Sequence, residues 1–369
     1  MQEVFPCNKV LQGMNNNSTN AIKSIQLLRA VAAISVVYAH YAHYAFPSFA
    51  TGAYGVDIFF IISGFIIAYI AGNNTENFLK NRFIRIIPLY AIATGIAILT
   101  IIISPQWVNN SSISFTAIAK SLLFIPYKIN NSGPILSLGW SLNYEMFFYL
   151  VMAICIGFVP NKKYTSIACA SLLVILTIIL NFIYSENYII NFYQRGLFPE
   201  FIYGIVLYYI YNYYTLKAFR NKGAIINTPI SLSIFTGIGI SSFLFLFFSC
   251  IYHLHISDNS NIQVGLPALL LVFSVISLEK YINSNNVFIK TGLLLGDASY
   301  VMYLFHPFCI YFLQRIVFRA IGLQDNTFIG LIKLITALVI TAAFSIYIYK
   351  WIDNPIQVLI RKWLLKKKV

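Results

Sequence analysis

The sequence predicts an all-α, polytopic membrane protein on three grounds. It is 59% hydrophobic and only 10% charged, its mean hydropathy is +0.75, and its apolar residues fall in long runs rather than in alternation. Soluble domains carry roughly a quarter charged residues. The 31 Phe and 26 Tyr suit spans that end in interfacial aromatic belts.

Runs of about 20 apolar residues are needed to cross roughly 30 Å of hydrocarbon. Such runs fall near 25–46, 52–72, 86–104, 139–159, 165–184, 195–212, 228–252, 263–281, 298–318 and 327–350. Ten spans are therefore expected. They form a membrane domain over 23–356, between a polar segment at 1–22 and a basic tail at 357–369. The Asn-rich start (MNNNSTN) is unlike a cleaved leader, and the run after it is too long for an h-region, so the first span is expected to remain.

With the N-terminus inside, Lys80, Arg82, Arg85, Lys162, Lys163, Lys217, Arg220, Lys222, Lys350 and the tail from Arg361 to Lys368 all fall on the inner side. That asymmetry places both termini in the cytoplasm. The longest outer segment, about 105–138, holds one short apolar stretch (SLLFIP) and is a candidate re-entrant or interfacial piece. The net charge of +14 is scattered between apolar runs, which argues against nucleic acid. The basic tail suits an anionic inner leaflet. Cys7, Cys155, Cys169, Cys250 and Cys309 show neither disulfide nor zinc spacing, so they read as packing residues, and no metal is expected.

The first span, QLLRAVAAISVVYAHYAH, carries Arg29 near its start and His40 and His43 near its end. Eleven residues are about three helical turns, so Arg29 and His40 leave one face. Ionisable groups on a membrane span mark a functional interior face by default. If every span enters at the surface, a rise of about 1.5 Å per residue puts Asp57 and Glu145 roughly 8–9 Å below the outer boundary, at the depth of His40. The three could form a proton-transfer site in which the imidazole acts as general base, or a structural ion pair between helices. His43, nearer the rim, reads as a solvated interfacial residue.

Just before the third span, FLKNRFIRIIPLY sets Arg82 and Arg85 one turn apart. Such a pair suits bidentate phosphate binding, although positive-inside topology alone accounts for it. In LGDASYVMYLFHPF, Ser299, Tyr300, Tyr303 and His306 share part of a helix face. They line a polar cavity, or the His-Pro pair merely kinks the helix at Pro307.

In order along the chain, LRA with a histidine eleven residues after its arginine, GVDIFFIISGF, RFIRIIPLY, GWSLNYEMFFYL, RGLFPEFIYGI and SYVMYLFHP resemble the acyltransferase 3 family of integral membrane O-acyltransferases. The resemblance runs from about Ile25 to Pro355, and LNYEMFFY is most similar to the exopolysaccharide and O-antigen acetyltransferase branch. It implies a multi-pass enzyme of the bacterial inner membrane that transfers an acetyl group from acetyl-CoA to a hydroxyl of a surface glycan, O-antigen or lipid-linked sugar. Arg82 and Arg85 match the arginines proposed to hold the coenzyme. Arg29 and His40 match the essential Arg/His pair, while Asp57 and Glu145 stand where the family has acidic residues. His40 would be a general base or a transient acyl carrier. Trp140, Ser299, Tyr300, Tyr303 and His306 are expected at the acceptor.

Two departures stand out. Asp353-Asn354-Pro355 replaces the usual Glu-x-Pro, and the esterase-like domain fused to some members is missing from this sequence, so transfer is expected to be direct or through a separate partner. The competing class is a transporter or flippase for a sugar-linked or anionic lipid. Such proteins often show related halves, and none is visible here.

Overall fold

The computed structural model describes residues 22–45, 53–73, 75–104, 113–129, 133–220, 229–251, 261–322 and 327–364. In chain order the helices are α1 (Lys23–Ala45), α2 (Gly55–Asn73), α3 (Phe78–Ile103), α4 (Phe115–Leu122), α5 (Gly139–Phe158), α6 (Lys162–Phe182), α7 (Tyr188–Tyr193) and α8 (Phe198–Arg220). They continue with α9 (Pro229–Ile251), α10 (Leu266–Ser277), α11 (Val287–Asp297), α12 (Ser299–Phe312), α13 (Phe318–Ile321), α14 (Thr327–Ile348) and α15 (Asn354–Leu364). The all-α membrane architecture expected from the sequence is present.

Among the described residues, eight helices are long and apolar enough to cross a membrane, against the ten runs expected. The two that fall short are α8, diluted by tyrosines such as Tyr203, Tyr208 and Tyr211, and α10, which together with the π-helical turn before it covers only Ile262–Ser277. The apolar side chains exposed on α6 (Val174, Ile178, Phe182) and α14 (Ile335, Val339) suit a lipid-facing surface.

At the centre is α2, where Ile58, Ile61, Phe65, Ile67, Ala68 and Ala71 are fully shielded. A helix that is apolar on all sides belongs inside a bundle. It crosses α8 backbone to backbone: a side chain at Gly64 would strike the Phe201 carbonyl, and one at Gly204 the Ile61 carbonyl. Small residues allow so close an approach between membrane helices.

The start of α1 is tied to a distant segment. Glu279 accepts hydrogen bonds from the backbone N–H groups of Lys23 at 3.0 Å and Ser24 at 2.6 Å. These donors have no partner within the helix, and the carboxylate also complements the positive end of the helix dipole. Replacing Glu279 by Ala should cost about 1–2 kcal/mol, the scale of losing a cap, measured as a lower unfolding midpoint in detergent.

The segment before α5 folds inward. Ser114 caps α4 by accepting from the Ala117 N–H at 3.1 Å. Ser121 Oγ then bonds Tyr127 Oη at 2.9 Å and the Ile135 N–H at 3.0 Å, closing the loop on itself. Phe124 stacks on Tyr90 with ring centroids 4.9 Å apart, and Gly139, the first residue of α5, lies against the Tyr90 hydroxyl. Tyr90 is twelve residues into α3, about 18 Å along it at 1.5 Å per residue. Helix α5 therefore begins deep in the bundle.

Candidate functional site

A cavity of about 80 Å³ opens between α1, α2, α3, α5 and α12, lined by Arg29, Arg82, Arg85, Glu145 and Tyr149 together with Ser63, Ser141, Ser299, Tyr300 and Tyr303. Its lining sets three guanidiniums against one carboxylate. Helix α3 explains how two of them arrive here. The third span was expected to start near residue 86, leaving Arg82 and Arg85 on a water-exposed rim, yet the helix begins at Phe78 and carries both arginines into the bundle.

Polar partners hold the cluster. Tyr149 donates to Glu145 Oε1, as does Ser63 Oγ at 3.4 Å. The Arg82 guanidinium lies over the Tyr149 ring, 5.9 Å from its centroid. Arg29 donates from Nη1 to Gln26 Oε1 at 3.1 Å, and it lies within electrostatic reach of Arg85, Asp297 and Glu145. Asp353 also lies within electrostatic reach of Arg85 and Arg29. On α12, Tyr300 donates to the Ile86 carbonyl at 3.0 Å, and Tyr303 bonds Ser141 Oγ at 2.6 Å.

Arg82 Nε and Ser299 Oγ are buried without a hydrogen-bond partner. Buried polar atoms are almost always paired, so these two suit an anionic or polar ligand seated in the cavity. Among the described residues, no group of three His, Cys, Asp or Glu side chains is placed to hold a metal.

The expected site is divided. His40 does not share a depth with Asp57 and Glu145. Gly55 packs on Ala32 and Val36, eight and four residues before His40, so α2 starts below His40 and runs away from it. Glu145 lies lower again, bonded to Ser63 and grouped with Arg29. The equal depths assumed that every span enters at one surface, and the inward fold before α5 breaks that assumption.

His40 instead meets His306. Their rings are edge-on with centroids 4.7 Å apart, and Tyr303, which lines the arginine cavity, stands 6.2 Å from the His306 ring. Helix α12 continues through Pro307. It presents Ser299, Tyr300 and Tyr303 to the cavity and His306 to His40. Trp140 lies outside the cavity lining and faces Tyr144, with centroids 6.5 Å apart. The His43 side chain lies outside the described residues.

Asp57 is paired with a residue that sequence reasoning passed over. Glu200, in the first turn of α8, is fully buried and neither of its oxygens has a hydrogen-bond donor. It faces Asp57 within hydrogen-bonding reach. Two ionised carboxylates have only acceptors to offer each other. The one signal in the sequence was a lone acid in the otherwise uncharged run LFPEFIYGI.

Comparison with known proteins shows which family the chain resembles. The exopolysaccharide production protein ExoZ of Rhizobium meliloti is 30% identical over 271 residues, covering 70% of this chain and 77% of that protein. The O-acetyltransferase OatA of Staphylococcus aureus is 24% identical over 333 residues, 83% of this chain but only 53% of its own length. No solved structure matches. The acyltransferase domain of the acyltransferase 3 family matches residues 22–350. With that domain over most of its length and relatives that include O-acetyltransferases, this all-helical membrane protein belongs to the acyltransferase 3 family.

Proposed function

We propose that the protein transfers an acetyl group from acetyl-CoA, bound from the cytoplasmic side of the bacterial inner membrane, to a hydroxyl of a surface polysaccharide, O-antigen or lipid-linked sugar precursor. The observation that carries this is the convergence of Arg29, Arg82 and Arg85 on one cavity, with the Arg82 Nε unpartnered. Arginine is the side chain best suited to hold phosphate by paired hydrogen bonds. A cavity of about 80 Å³ has room for several waters, hence for one phosphate or the thioester end of the donor but not for a whole coenzyme. The nucleotide would lie outside it.

His40 stands at the other end of the site, exposed at the bundle surface. In this reading it serves as the base that deprotonates the acceptor hydroxyl. The eleven residues from Arg29 to His40 span about 16 Å of helix, a distance the donor's pantetheine arm would bridge past Tyr303. Asp57 and Glu200, lower in the bundle, have a supporting rather than a catalytic place.

The test is mass spectrometry of surface glycans from cells with and without the gene, together with acetyl-CoA consumption by the purified protein. Loss of acetyl esters with loss of the gene, and consumption that requires glycan, are expected. An unchanged acetyl pattern together with movement of a lipid-linked sugar across vesicles would replace the enzyme by a transporter.

A further inference from the structure

His306 is a buried ionisable group that the transfer mechanism leaves without a task. Its surroundings define its state. The ring Nδ1 lies 3.2 Å from the Met302 carbonyl, and the Tyr303 carbonyl is also within reach. Pro307 lacks the N–H that would otherwise occupy that Tyr303 carbonyl four residues back. A carbonyl oxygen only accepts, so Nδ1 must carry the hydrogen and Nε2 the lone pair. That Nε2 is buried and has no hydrogen-bond partner.

His40 is fixed the same way. Its Nδ1 is 2.9 Å from the Val36 carbonyl, which again leaves Nε2 as the basic nitrogen. Two imidazoles in the same tautomer are thus in edge-on contact, one exposed and one 0% exposed. The ionisable side chains facing His306 are His40 from α1 and Tyr303 from its own helix. The feature that distinguishes His40 here is a second imidazole.

We propose that His306 is the proton-sharing partner of His40 in acyl transfer, a positioning and proton-holding residue rather than part of the acceptor site. The proposal rests on the transfer reaction above. His40 Nε2 takes the hydroxyl proton as the acceptor oxygen bonds to the acyl carbon and the carbon–sulfur bond of the thioester breaks. His306 Nε2 accepts a hydrogen bond from the newly protonated His40, holding that proton between the rings. The departing sulfur then receives it. One O–H and one C–S bond are exchanged for one C–O and one S–H bond, and the pair returns to its starting state.

The experiment uses the full chain in lipid nanodiscs with acetyl-CoA and polysaccharide from the producing cell. His306→Gln keeps polarity and approximate size but cannot take a proton; His306→Leu can do neither. Both should lower kcat roughly 10²-fold, the lower end of general-base contributions, with the KM for acetyl-CoA unchanged. In His306→Leu the acid limb of the kcat profile should move to lower pH, because the His40 imidazolium loses the acceptor that favours it. A purely structural role would leave His306→Gln near the normal rate with an unmoved profile, and that result overturns the proposal.

Nitrogen-15 NMR of the unsubstituted protein tests the pair without any turnover. Uptake of one proton, perturbing the Nε2 signals of both rings together, is expected, whereas two independent titrations overturn the proposal even if neither variant folds. If the unsubstituted protein fails to consume acetyl-CoA, the transfer reading falls, and the NMR result still decides whether the rings share a proton.

Discussion

His40→Ala should abolish detectable glycan acetylation while the protein still inserts and accumulates normally. General-base work typically contributes about 10²- to 10⁴-fold, and the hydroxyl of a sugar is a weak nucleophile until its proton is removed. The ring lies on the exposed side of the histidine pair, so its loss removes the proton acceptor that an incoming hydroxyl can reach. His40→Gln should fail as alanine does, since an amide takes up no proton at neutral pH. Acetyl ester content of extracted polysaccharide, normalised to the amount of protein in the membrane, is the measurement. A glutamine variant at near-normal rate would remove His40 from the chemistry and leave it a helix-packing role.

The second large effect is expected at the arginine cavity. Arg82→Ala combined with Arg85→Ala should weaken acetyl-CoA binding by roughly 10²-fold or more. Hydrogen bonds to charged groups are worth about 1.5–3 kcal/mol each, and two guanidiniums leave the lining together. The effect should appear in KM or in a direct binding isotherm, with kcat at saturating donor much less altered. That pattern marks binding that is uniform between ground and transition state. Unchanged affinity in the double variant would return both residues to a topological role. Because the two sit inside the bundle rather than on its rim, membrane insertion of the variant has to be verified alongside.

The sequence displayed these groups unevenly, for physical reasons. Arg29 and His40 were legible because an ionisable side chain in an apolar run is costly and therefore conspicuous. The spacing from Ser299 to Tyr303 was legible as a helix face, and those residues do line the cavity. Their partners were not. Glu145 reads as a partner of His40 only when depth is counted from a membrane surface, and the inward fold before α5 that lowers its start is made by contacts such as Phe124 on Tyr90, which no periodicity announces. Arg82 and Arg85 read as rim residues because an apolar run marks where a helix becomes greasy, not where it starts. Glu200 meets Asp57 only through the crossing of α2 and α8 at Gly64 and Gly204, a long-range encounter invisible along the chain. The same holds for His306, read as part of an acceptor cavity and found against His40.

Helix α1 runs unbroken from Lys23 to Ala45 and carries both Arg29 and His40. It therefore acts as a ruler between the two chemical ends of the protein. A helix under normal load neither stretches nor unwinds, so their separation is set by residue count alone, and so is their relative phase, since each added residue turns the chain by about 100°. One alanine inserted between Val31 and Ser35 would leave every functional side chain intact and lengthen the ruler by only about 1.5 Å. It would nevertheless swing His40 more than a quarter turn away from His306, and acetylation should fall as far as it does in His40→Ala. The reading frame of this one helix, as much as the identity of its histidine, is then a determinant of activity.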